Sequence, residues 1–383
     1  MSRLSKLPPY LFAEIDAARR AAVAAGRDVV DLGVGDPDLP TPRPIVAAMA
    51  EALQRPRNHR YPANPGALAF REAIAGWLSR RHGVTVDPAR EVLALIGSKE
   101  GLGHLPLALL EEGDEALVPS VGYPVYGQAT LLAGGRPVTY PLRAADAFVP
   151  DWRELDRLVS SRTRLLFLNY PHNPTGAVAG DDVLRAALAF GARHNLAVAQ
   201  DAAYLEVAWS APRPGSLLAH ADLRRDRVIE FHSFSKMFNM TGWRVGFAAG
   251  QADLLRDLAR VKESLDSGVF TAVQEAVATG LGDDYEALLA TVLAPYPARR
   301  SLVLEALAAA GVEVFAADAT FYVWARVPGG GDSLAFCRRV LADHAVVVTP
   351  GVGFGPGGEG WFRISLTAPD ERVAEGARRL RRL

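Results

Sequence analysis

Cysteine is nearly absent from the sequence, and other features of exported or membrane proteins are missing as well. Cys337 is the single cysteine in 383 residues, so a disulfide within one chain is excluded and a reducing compartment is favoured. No run of about 18 uninterrupted apolar residues is present to span a bilayer, and the first residues lack the basic-then-apolar order of a signal peptide. We therefore expect a cytoplasmic protein that does not enter a membrane.

The sequence also lacks an excess of charge of one sign. Its 42 lysines and arginines nearly balance its 43 aspartates and glutamates, for a formal net charge of −1. Without a net positive field, a protein has no general attraction for nucleic acid or for an anionic membrane. Local patches can still bind a carboxylate or a phosphate, so small molecules are the expected partners.

The chain length and the order of apolar segments predict two unequal domains. From residue 41 to residue 281, short apolar runs alternate with longer helical patterns, which is typical of a mainly parallel sheet flanked by helices. Residues 282–383 carry strand candidates around one helix, as in a smaller α+β domain. Residues 1–40 are expected to form an N-terminal arm and part of the smaller domain. The predicted fold class is α/β.

Three further expectations come from helical and glycine patterns. Apolar residues at helical spacing predict a helix over about residues 9–25 that packs on an apolar surface. A long helical region is expected from residue 251 through residue 309, interrupted near residues 280–282. The glycine-dense residues 351–360 lack the Gly-Lys-Ser/Thr of a phosphate loop, so we expect a loop between strands near a substrate.

The most informative segment is a serine-rich turn that presents a lysine. Apolar residues 227–231 predict a strand, and Ser233, Ser235 and Lys236 follow at its end, with Arg244 eight positions later. Two hydroxyls and a guanidinium can bind the phosphate of pyridoxal 5′-phosphate (PLP), while the lysine forms an imine with its aldehyde. For this segment alone, a solvated lysine in an ordinary turn is the alternative.

Three other strand candidates also end in polar residues. Asp201 closes an apolar run, with Tyr204 three residues later. Asn173 lies in an Asn-Pro-Thr-Gly turn past another run, and Ser98 and Lys99 open an apolar helix. Such groups are expected where a ligand lies at the carboxyl edge of an open α/β sheet. Each has an ordinary alternative as a helix cap, a turn or a helix start, but their order and spacing favour one site.

Taken in order, these motifs resemble those of the class I and II aminotransferases of PLP fold type I. They are Gly-Ser-Lys-Glu-Gly at 97–101, Gly-Tyr-Pro-Val-Tyr at 122–126, Asn-Pro-Thr-Gly at 173–176, Asp-x-x-Tyr at 201–204, Ser-x-Ser-Lys at 233–236, Gly-Trp-Arg-x-Gly at 242–246 and Phe-Arg-Ile-Ser at 362–365. The resemblance covers nearly the whole chain. Within the family, residues 7–12, 33–42, 97–102 and 354–366 are most similar to LL-diaminopimelate aminotransferases.

The resemblance implies a role for each polar residue around the cofactor ring. Lys236 would bond to the cofactor aldehyde and then move the proton of the substrate Cα. Asp201 would pair with the pyridine nitrogen and keep it protonated. Tyr204 and Asn173 would hydrogen-bond to the phenolic oxygen, and Asn173 would also face the substrate. Tyr123 would stack on the ring, unless it is an ordinary core aromatic.

The cofactor phosphate is expected at a helix start, where backbone N–H groups and the helix dipole favour an anion. Ser98 and Lys99 would supply main-chain donors there. Ser233 and Ser235 would add hydroxyl or amide donors, and Arg244 a bidentate charge.

Tyr61 matches a tyrosine that, in the family, reaches the phosphate of the neighbouring subunit. This match implies a homodimer with shared active sites. A turn tyrosine without such a role is the alternative.

The resemblance also implies how a substrate is bound. Arg363 lies on a C-terminal strand where the family binds the substrate α-carboxylate, for which a planar guanidinium is well suited. Gly35 would contact the same group through its backbone, because a residue without a side chain allows close approach. Tyr10 and the Lys99 side chain would meet the distal end of the substrate. Lys99 and Glu100 together could bind a distal ammonium–carboxylate pair, or could simply form a solvated helix start.

Two positions depart from the family pattern. Ser120 and Val121 stand where relatives often carry Asp-Pro, and His172 replaces a frequent asparagine. Neither change removes a catalytic group. Both lie near the expected cofactor or substrate, so they bear on specificity rather than on the reaction.

The leading interpretation is PLP-dependent transamination, without a metal, between an amino acid and a 2-oxo acid, with LL-diaminopimelate and 2-oxoglutarate as one pair. Succinyl-diaminopimelate, aspartate, alanine and aromatic amino acids are alternative donors, since selectivity depends on side-chain positions in three dimensions. A PLP-dependent C–S β-lyase shares the fold and would release a thiol. A non-catalytic regulator would need an added DNA-binding module, for which the sequence leaves no room.

Overall fold

A computed structural model describes residues 3–7, 11–209 and 213–383 of the chain. In chain order, the α-helices of these residues are α1 (Leu11–Ala24), α2 (Arg43–Leu53), α3 (Leu68–His82), α4 (Ser98–Leu109), α5 (Val125–Leu132), α6 (Trp152–Asp156), α7 (Asp181–His194), α8 (Phe234–Met237), α9 (Ala252–Leu265), α10 (Thr271–Gly280), α11 (Tyr285–Leu293), α12 (Tyr296–Ala309), α13 (Ser333–His344) and α14 (Asp370–Leu380). Within these ranges, no helix is both long and apolar enough to cross a bilayer.

The strands of the same residues form three sheets. They are β1 (Val30–Asp31), β2 (Val92–Leu95), β3 (Glu115–Pro119), β4 (Arg136–Tyr140), β5 (Thr163–Asn169), β6 (Ala197–Asp201), β7 (Val228–Ser233), β8 (Gly246–Gly250), β9 (Val314–Phe315), β10 (Tyr322–Arg326), β11 (Val346–Val347), β12 (Thr349–Pro350) and β13 (Trp361–Ser365).

The largest sheet has seven strands in the order β2-β8-β7-β6-β5-β3-β4. Strands β3 to β7 pair in parallel, whereas β8 is antiparallel to both of its neighbours. Parallel neighbours need crossover connections, and here these are mostly helical. The prediction of an α/β fold with a mainly parallel sheet is confirmed.

The two covered faces of this sheet can be followed along β7. Ile229 and Phe231 belong to the apolar cluster that contains Leu102 of α4, whereas Val228 belongs to the cluster that contains Trp77 of α3. Successive side chains of a strand point to opposite faces. A strand buried on both faces therefore needs a nearly continuous apolar run, which is why these strands can be recognised in the sequence.

A smaller sheet is built from the last third of the chain. Strands β12, β13, β10 and β9 pair antiparallel in that order. Strand β1 pairs in parallel with β11, so the N-terminal segment joins these C-terminal elements. Helix α13 begins after Asp332, whose carboxylate accepts hydrogen bonds from the backbone N–H groups of Leu334 and Ala335, both at 2.9 Å.

The long helical region predicted over residues 251–309 is divided into the four helices α9 to α12. The expected break lies between α10 and α11. Two further breaks were not predicted. Gly268 lies in one of them with a φ of +87°, a left-handed conformation that favours glycine. The other break lies at Pro295, directly before α12. Proline interrupts a helix because it cannot donate the backbone hydrogen bond that a helix interior requires.

The fold brings several loops to one edge of the largest sheet. The segments after β2, β3, β5, β6 and β7 leave the sheet at the carboxyl ends of these strands, which lie side by side. Strand β8 runs in the opposite direction, so the residues just before it, including Arg244, reach the same edge.

Candidate active site

One cavity of about 430 Å³ lies at this edge and extends toward the smaller sheet. Tyr61 does not line it, and Tyr10 lies outside the described residues. The predicted site residues that line the cavity are Gly35, Ser98, Lys99, Tyr123, Asn173, Asp201, Tyr204, Ser233, Ser235, Lys236, Arg244 and Arg363.

Lys236 lies in the single turn of α8, directly after β7. Its ammonium group donates to the backbone oxygen of Gly35 at 3.0 Å. The pKa of Lys236 is lowered to about 8, mainly by burial; Asp36 opposes this shift, and the nearby cations Arg363 and Arg244 add to it. A lysine with such a pKa carries a useful fraction of neutral amine near neutral pH, as a nucleophile or a base requires.

Asp201 is buried at the end of β6. One carboxylate oxygen accepts from the Tyr126 hydroxyl at 2.7 Å, and the other accepts from the Ala203 backbone N–H at 3.2 Å. Burial raises the pKa of Asp201 to about 6, against the lowering effect of these two donors. A buried carboxylate of this kind is stabilised by a cationic partner. Sequence reasoning missed Tyr126, although it stands in the quoted Gly-Tyr-Pro-Val-Tyr motif.

The start of α4 and the residue before β8 form a close backbone cradle. Gly97 has a φ of +78°, and a Cβ at this position would lie 2.5 Å from Nη2 of Arg244. A Cβ on Gly246 would lie 2.8 Å from the backbone nitrogen of Ser98. Two glycines thus let a guanidinium and the first N–H groups of a helix approach each other. That combination suits a phosphate group.

Arg363, on β13, lies against two aromatic rings. Its guanidinium carbon lies 4.0 Å from the ring centroid of Tyr322 and 4.7 Å from that of Phe354. Nη1 donates to Oδ1 of Asn173 at 2.9 Å, and Nη2 donates to the backbone oxygen of Gly33 at 2.8 Å. Within the described part of the chain, the buried Nε–H has no hydrogen-bond partner. An oriented guanidinium with an unsatisfied donor is suited to bind an anion.

Tyr322 was also missed, although it contacts three of the predicted residues. Its hydroxyl lies 2.9 Å from that of Tyr204, and a Cβ on Gly35 would clash with it. Burial, followed by the effect of Tyr322, raises the pKa of Tyr204 well above its ordinary value, so the Tyr204 hydroxyl keeps its proton. No sequence pattern marks Tyr322, because β10 is otherwise an ordinary apolar strand.

Helix α1 contributes charged residues to the mouth of the cavity. Ile15, Asp16 and Arg19 line it, together with Asp31. Nη2 of Arg19 lies 2.8 Å from Asp16, and its Nε lies 3.5 Å from Asp31. The sequence predicts apolar packing for this helix and a substrate contact for Tyr10, but no contribution from its charged residues. The spacing of Ile15 and Arg19, one helical turn apart, was the signal that could have placed both on one face.

The expectation for Lys99 and Glu100 is only half fulfilled. Lys99 lines the cavity, and its ammonium lies 5.8 Å from the ring centroid of Tyr123. Glu100 does not line it. Its carboxylate accepts from the backbone N–H of Ile96 and from the ammonium of Lys262 at 3.2 Å. A joint contact of Lys99 and Glu100 with a distal ammonium–carboxylate pair is therefore wrong, because Glu100 stabilises the start of α4 instead.

Tyr61 lies on a different surface of the molecule. Its side chain is 91% exposed, and it borders a shallow cleft with Arg57, His59, Arg60 and Pro62. Burial of such an exposed aromatic side chain against another molecule is favourable in free energy, because it removes apolar surface from water.

The chain matches known proteins along nearly its whole length. A family model described as aminotransferase class I and II matches residues 27–380. The chain is 46% identical over 379 residues to the LL-diaminopimelate aminotransferase of Desulforudis audaxviator, covering 99% of this chain and 96% of that protein. It is 44% identical over 383 residues to the LL-diaminopimelate aminotransferase of Aquifex aeolicus, covering 100% of this chain and 98% of that protein.

A solved structure shows the same fold. The probable N-succinyldiaminopimelate aminotransferase from Thermus thermophilus superposes with a TM-score of 0.89 at 38% sequence identity. The match covers 97% of this chain and 99% of that chain.

Proposed function

Because the chain belongs to the class I and II aminotransferases, we propose that it transfers the amino group of LL-diaminopimelate to a 2-oxo acid such as 2-oxoglutarate. The predictions of an aminotransferase, of PLP as its cofactor and of fold type I are confirmed. The observation that carries the proposal is the meeting of Lys236, Asp201 and Arg363 in one cavity. The choice of donor is supported by the names of the relatives at 46% and 44% identity.

The residues of the cavity fit PLP. The glycine-lined cradle beside Ser98 and Arg244 suits its phosphate, and the buried carboxylate of Asp201 suits a protonated ring nitrogen. When bound, PLP supplies an electron sink for the electrons left at the substrate Cα after its proton is removed. Lys236, with its lowered pKa, is the group that takes this proton and returns it.

The remaining cofactor-binding roles follow from position. Ser233 and Ser235 lie at the end of β7 and in α8, where they border the phosphate cradle. The Tyr123 ring is assigned to stack on the cofactor. Tyr204 keeps its proton and is assigned to donate to the phenolic oxygen, together with the amide of Asn173. Lys99 joins the phosphate site through its backbone N–H.

Arg363 is assigned to the α-carboxylate of the substrate. The rings of Tyr322 and Phe354 lie against its guanidinium and restrict the access of water to it. Its Nε–H has no hydrogen-bond partner among the described residues, and hydrogen bonds at the other two nitrogens orient it. Gly35 leaves its backbone open to the same carboxylate, because no side chain fits beside Tyr322.

The distal end of the substrate is assigned to the mouth of the cavity. LL-diaminopimelate carries a second ammonium and a second carboxylate there. Lys99 offers a cation, and Arg19 with Asp16 and Asp31 offers charges of both signs. The distal ammonium and carboxylate can replace partners in these ion pairs at a small cost in free energy, since surface ion pairs are weak. Tyr10 stays a prediction for this end of the substrate.

A half-reaction screen tests the function. Single amino acids are added to the PLP-loaded protein, and the change in cofactor absorbance is followed. We expect LL-diaminopimelate to convert the cofactor to its amine form faster than alanine, aspartate, an aromatic amino acid or succinyl-diaminopimelate. If LL-diaminopimelate fails while another donor succeeds, the substrate assignment is wrong. Release of a thiol from a cysteine-type donor would favour the C–S lyase instead.

We also propose a homodimer in which Tyr61 reaches the phosphate of the neighbouring subunit. Mixing Tyr61→Phe with Lys236→Ala subunits should generate hybrid dimers with one intact site and one doubly damaged site. Activity should therefore reappear on mixing two variants that are weak alone. A fully active monomer in sedimentation at assay concentration would contradict the shared site.

The domain limits and the cellular location are proposals as well. Residues 41–281 include the whole seven-stranded sheet, and residues 282–383 include the four-stranded one. Residues 1–40 contribute β1 to the smaller part. Limited proteolysis should cut first near residues 281–284. A cytoplasmic location is proposed because an amino-acid transaminase needs the pool of 2-oxo acids there, and cell fractionation tests it.

A further inference from the structure

The two departures from the family pattern meet in the structure. His172 lies on the loop after β5, and Val121 lies on the loop after β3. Nε2 of His172 is 3.0 Å from the backbone oxygen of Val121, and its Nδ1 is 2.8 Å from the hydroxyl of Thr175. All three residues are fully buried. One imidazole therefore joins its own loop to a loop 51 residues earlier in the chain.

The tautomer of His172 follows from its partners. The backbone oxygen of Val121 only accepts, so Nε2 must carry a hydrogen. Burial lowers the pKa of His172 to about 4, and the neutral ring leaves Nδ1 as an acceptor. The Thr175 hydroxyl therefore donates to Nδ1. Both ring nitrogens are satisfied, each by a different loop.

The two loops joined in this way hold the surroundings of Arg363. His172 directly precedes Asn173, whose side-chain oxygen accepts from Nη1 of Arg363 at 2.9 Å. On the other loop, the backbone N–H of Gly122 donates to the backbone oxygen of Phe354 at 2.8 Å. The Phe354 ring covers one face of the Arg363 guanidinium at 4.7 Å. Each loop thus supports one contact of Arg363: the first supplies Asn173, and the second holds Phe354.

We propose that His172 is a positioning residue for the substrate carboxylate: its hydrogen bond to Val121 fixes the distance between the two loops that orient Arg363. His172 does not line the cavity, so it acts on the substrate only through these neighbours. The inference rests on the proposed function, because it takes Arg363 as the carboxylate site.

Two substitutions separate the two hydrogen bonds. The amide of His172→Asn lies near the position of Nδ1 and can still meet Thr175, but it is too short to reach Val121. The amide nitrogen of His172→Gln reaches the position of Nε2 and can donate to Val121. His172→Gln is therefore the matched control, with a buried polar side chain at the same position and the bond between the loops retained.

The test measures binding apart from chemistry. Titration calorimetry on the PLP-loaded protein gives the Kd of glutarate, a dicarboxylate that cannot react, and half-reaction kinetics give KM and kcat. His172→Asn should raise the glutarate Kd and the KM about tenfold, the effect of losing roughly one buried hydrogen bond, with a smaller effect on kcat. His172→Gln should stay within about twofold of the wild type, since it keeps that bond.

Two results would overturn the proposal. One is a His172→Asn protein that binds glutarate as tightly as the wild type, and the other is an equal loss in the Asn and Gln variants. Thr175→Val provides a second variant, since it loses only bonds within its own loop, those of the Thr175 hydroxyl with His172 and with the backbone N–H of Ala177. It should lower the Tm and leave the glutarate Kd unchanged; a raised Kd here would also refute the role of the Val121 bond.

Arg363→Gln distinguishes failure of this inference from failure of the proposed function. It should abolish measurable glutarate binding. If it does so while His172→Asn has no effect, only the positioning role is wrong. If Arg363→Gln binds glutarate normally, Arg363 is not the carboxylate site and the assignment on which the inference rests is wrong.

Discussion

The two ends of the cavity use charged groups in opposite ways. At the cofactor end, Asp201 is buried and Lys236 is half-buried, and burial is the largest cause of both pKa shifts. At the mouth, the Arg19 side chain is 35% exposed and paired with two carboxylates. Desolvation shifts the pKa of a group and so makes it reactive. A partly exposed ion pair is weak, so its members can exchange one partner for another. Reactivity thus depends on desolvation and recognition on weak ion pairs. We therefore expect substitutions at the cofactor end to affect the reaction of all donors and those at the mouth to affect the choice of donor.

The largest effect is expected at the buried amine. Lys236→Ala removes the base and nucleophile, so turnover should fall by roughly 10⁴-fold or more, as for other groups that act in every step. Single-turnover measurements with a preferred donor give the loss directly. As an independent check, borohydride should fix the cofactor to a peptide that contains residue 236. Cofactor found on another lysine would refute the assignment.

Asp201→Asn should slow proton transfer and, at the same time, stabilise the cofactor-free protein. The neutral amide cannot stabilise a protonated ring nitrogen, so we expect a loss of roughly 100-fold or more, comparable to losing one preorganised electrostatic contact. Near-normal single-turnover rates would exclude the role.

The stability effect has a defined sign. The pKa of Asp201 rises from 3.8 to about 6 on folding, so between these pH values the folded protein holds a proton that the unfolded chain has released. Stability is therefore lost as pH rises through this window, by about 3 kcal/mol above pH 6. At pH 7, Asp201→Asn removes this penalty and should raise the free energy of unfolding. Near pH 3.5 the folded protein keeps the proton on Asp201, so the substitution should change the free energy of unfolding little. Urea unfolding of cofactor-free protein at both pH values measures the difference, and an equal effect at both would contradict the cause.

Arg363→Lys tests the region between the two ends. The substitution keeps the charge but loses the planar fork and the stacking between Tyr322 and Phe354. All donors should bind more weakly together, by about 1.5–3 kcal/mol, as for a charge-assisted hydrogen bond. Values of kcat/KM for a charged and an uncharged donor should fall by the same factor. A loss confined to one donor would place Arg363 at the distal end instead.

The smallest and most selective effect is expected at the mouth. Lys99→Ala should weaken donors with a distal charged group by roughly 1 kcal/mol, the scale of a partly exposed ion pair, and spare alanine-like donors. The ratio of kcat/KM for LL-diaminopimelate and alanine gives the result. A uniform loss would mean that the Lys99 side chain acts on the cofactor phosphate rather than on the substrate.

The sequence allowed the cofactor end to be predicted better than the mouth. Lys236, Asp201 and Asn173 lie at or just beyond the ends of apolar strands, and a parallel sheet brings such ends together whatever the details of packing. Tyr322 and Arg19 lie in elements whose pattern indicates only packing, and they reach the cavity because β10 and α1 lie beside it. Such positions depend on tertiary contacts that no local pattern records.

The error over Glu100 has a similar cause. The sequence places Glu100 beside Lys99 at a helix start, which allows either a joint contact with the substrate or a solvated helix start. The fully buried Lys262, 162 residues later, is what draws the Glu100 carboxylate away from the cavity. A buried ammonium needs such partners, but its burial could not be inferred from the sequence of α9.

The order of the site along the chain has a consequence for biosynthesis. The groups of one chain that are proposed to surround the cofactor ring lie between Ser98 and Arg244, and the largest sheet is complete at Gly250. Arg363 follows Arg244 by 119 residues, which a ribosome adding about 5–20 residues per second synthesises in roughly 6–24 s. A growing chain therefore carries the lysine proposed to bind PLP well before the arginine proposed to bind the substrate carboxylate exists. The residues proposed for cofactor binding and for carboxylate binding are thus separated in the time of synthesis as well as in space.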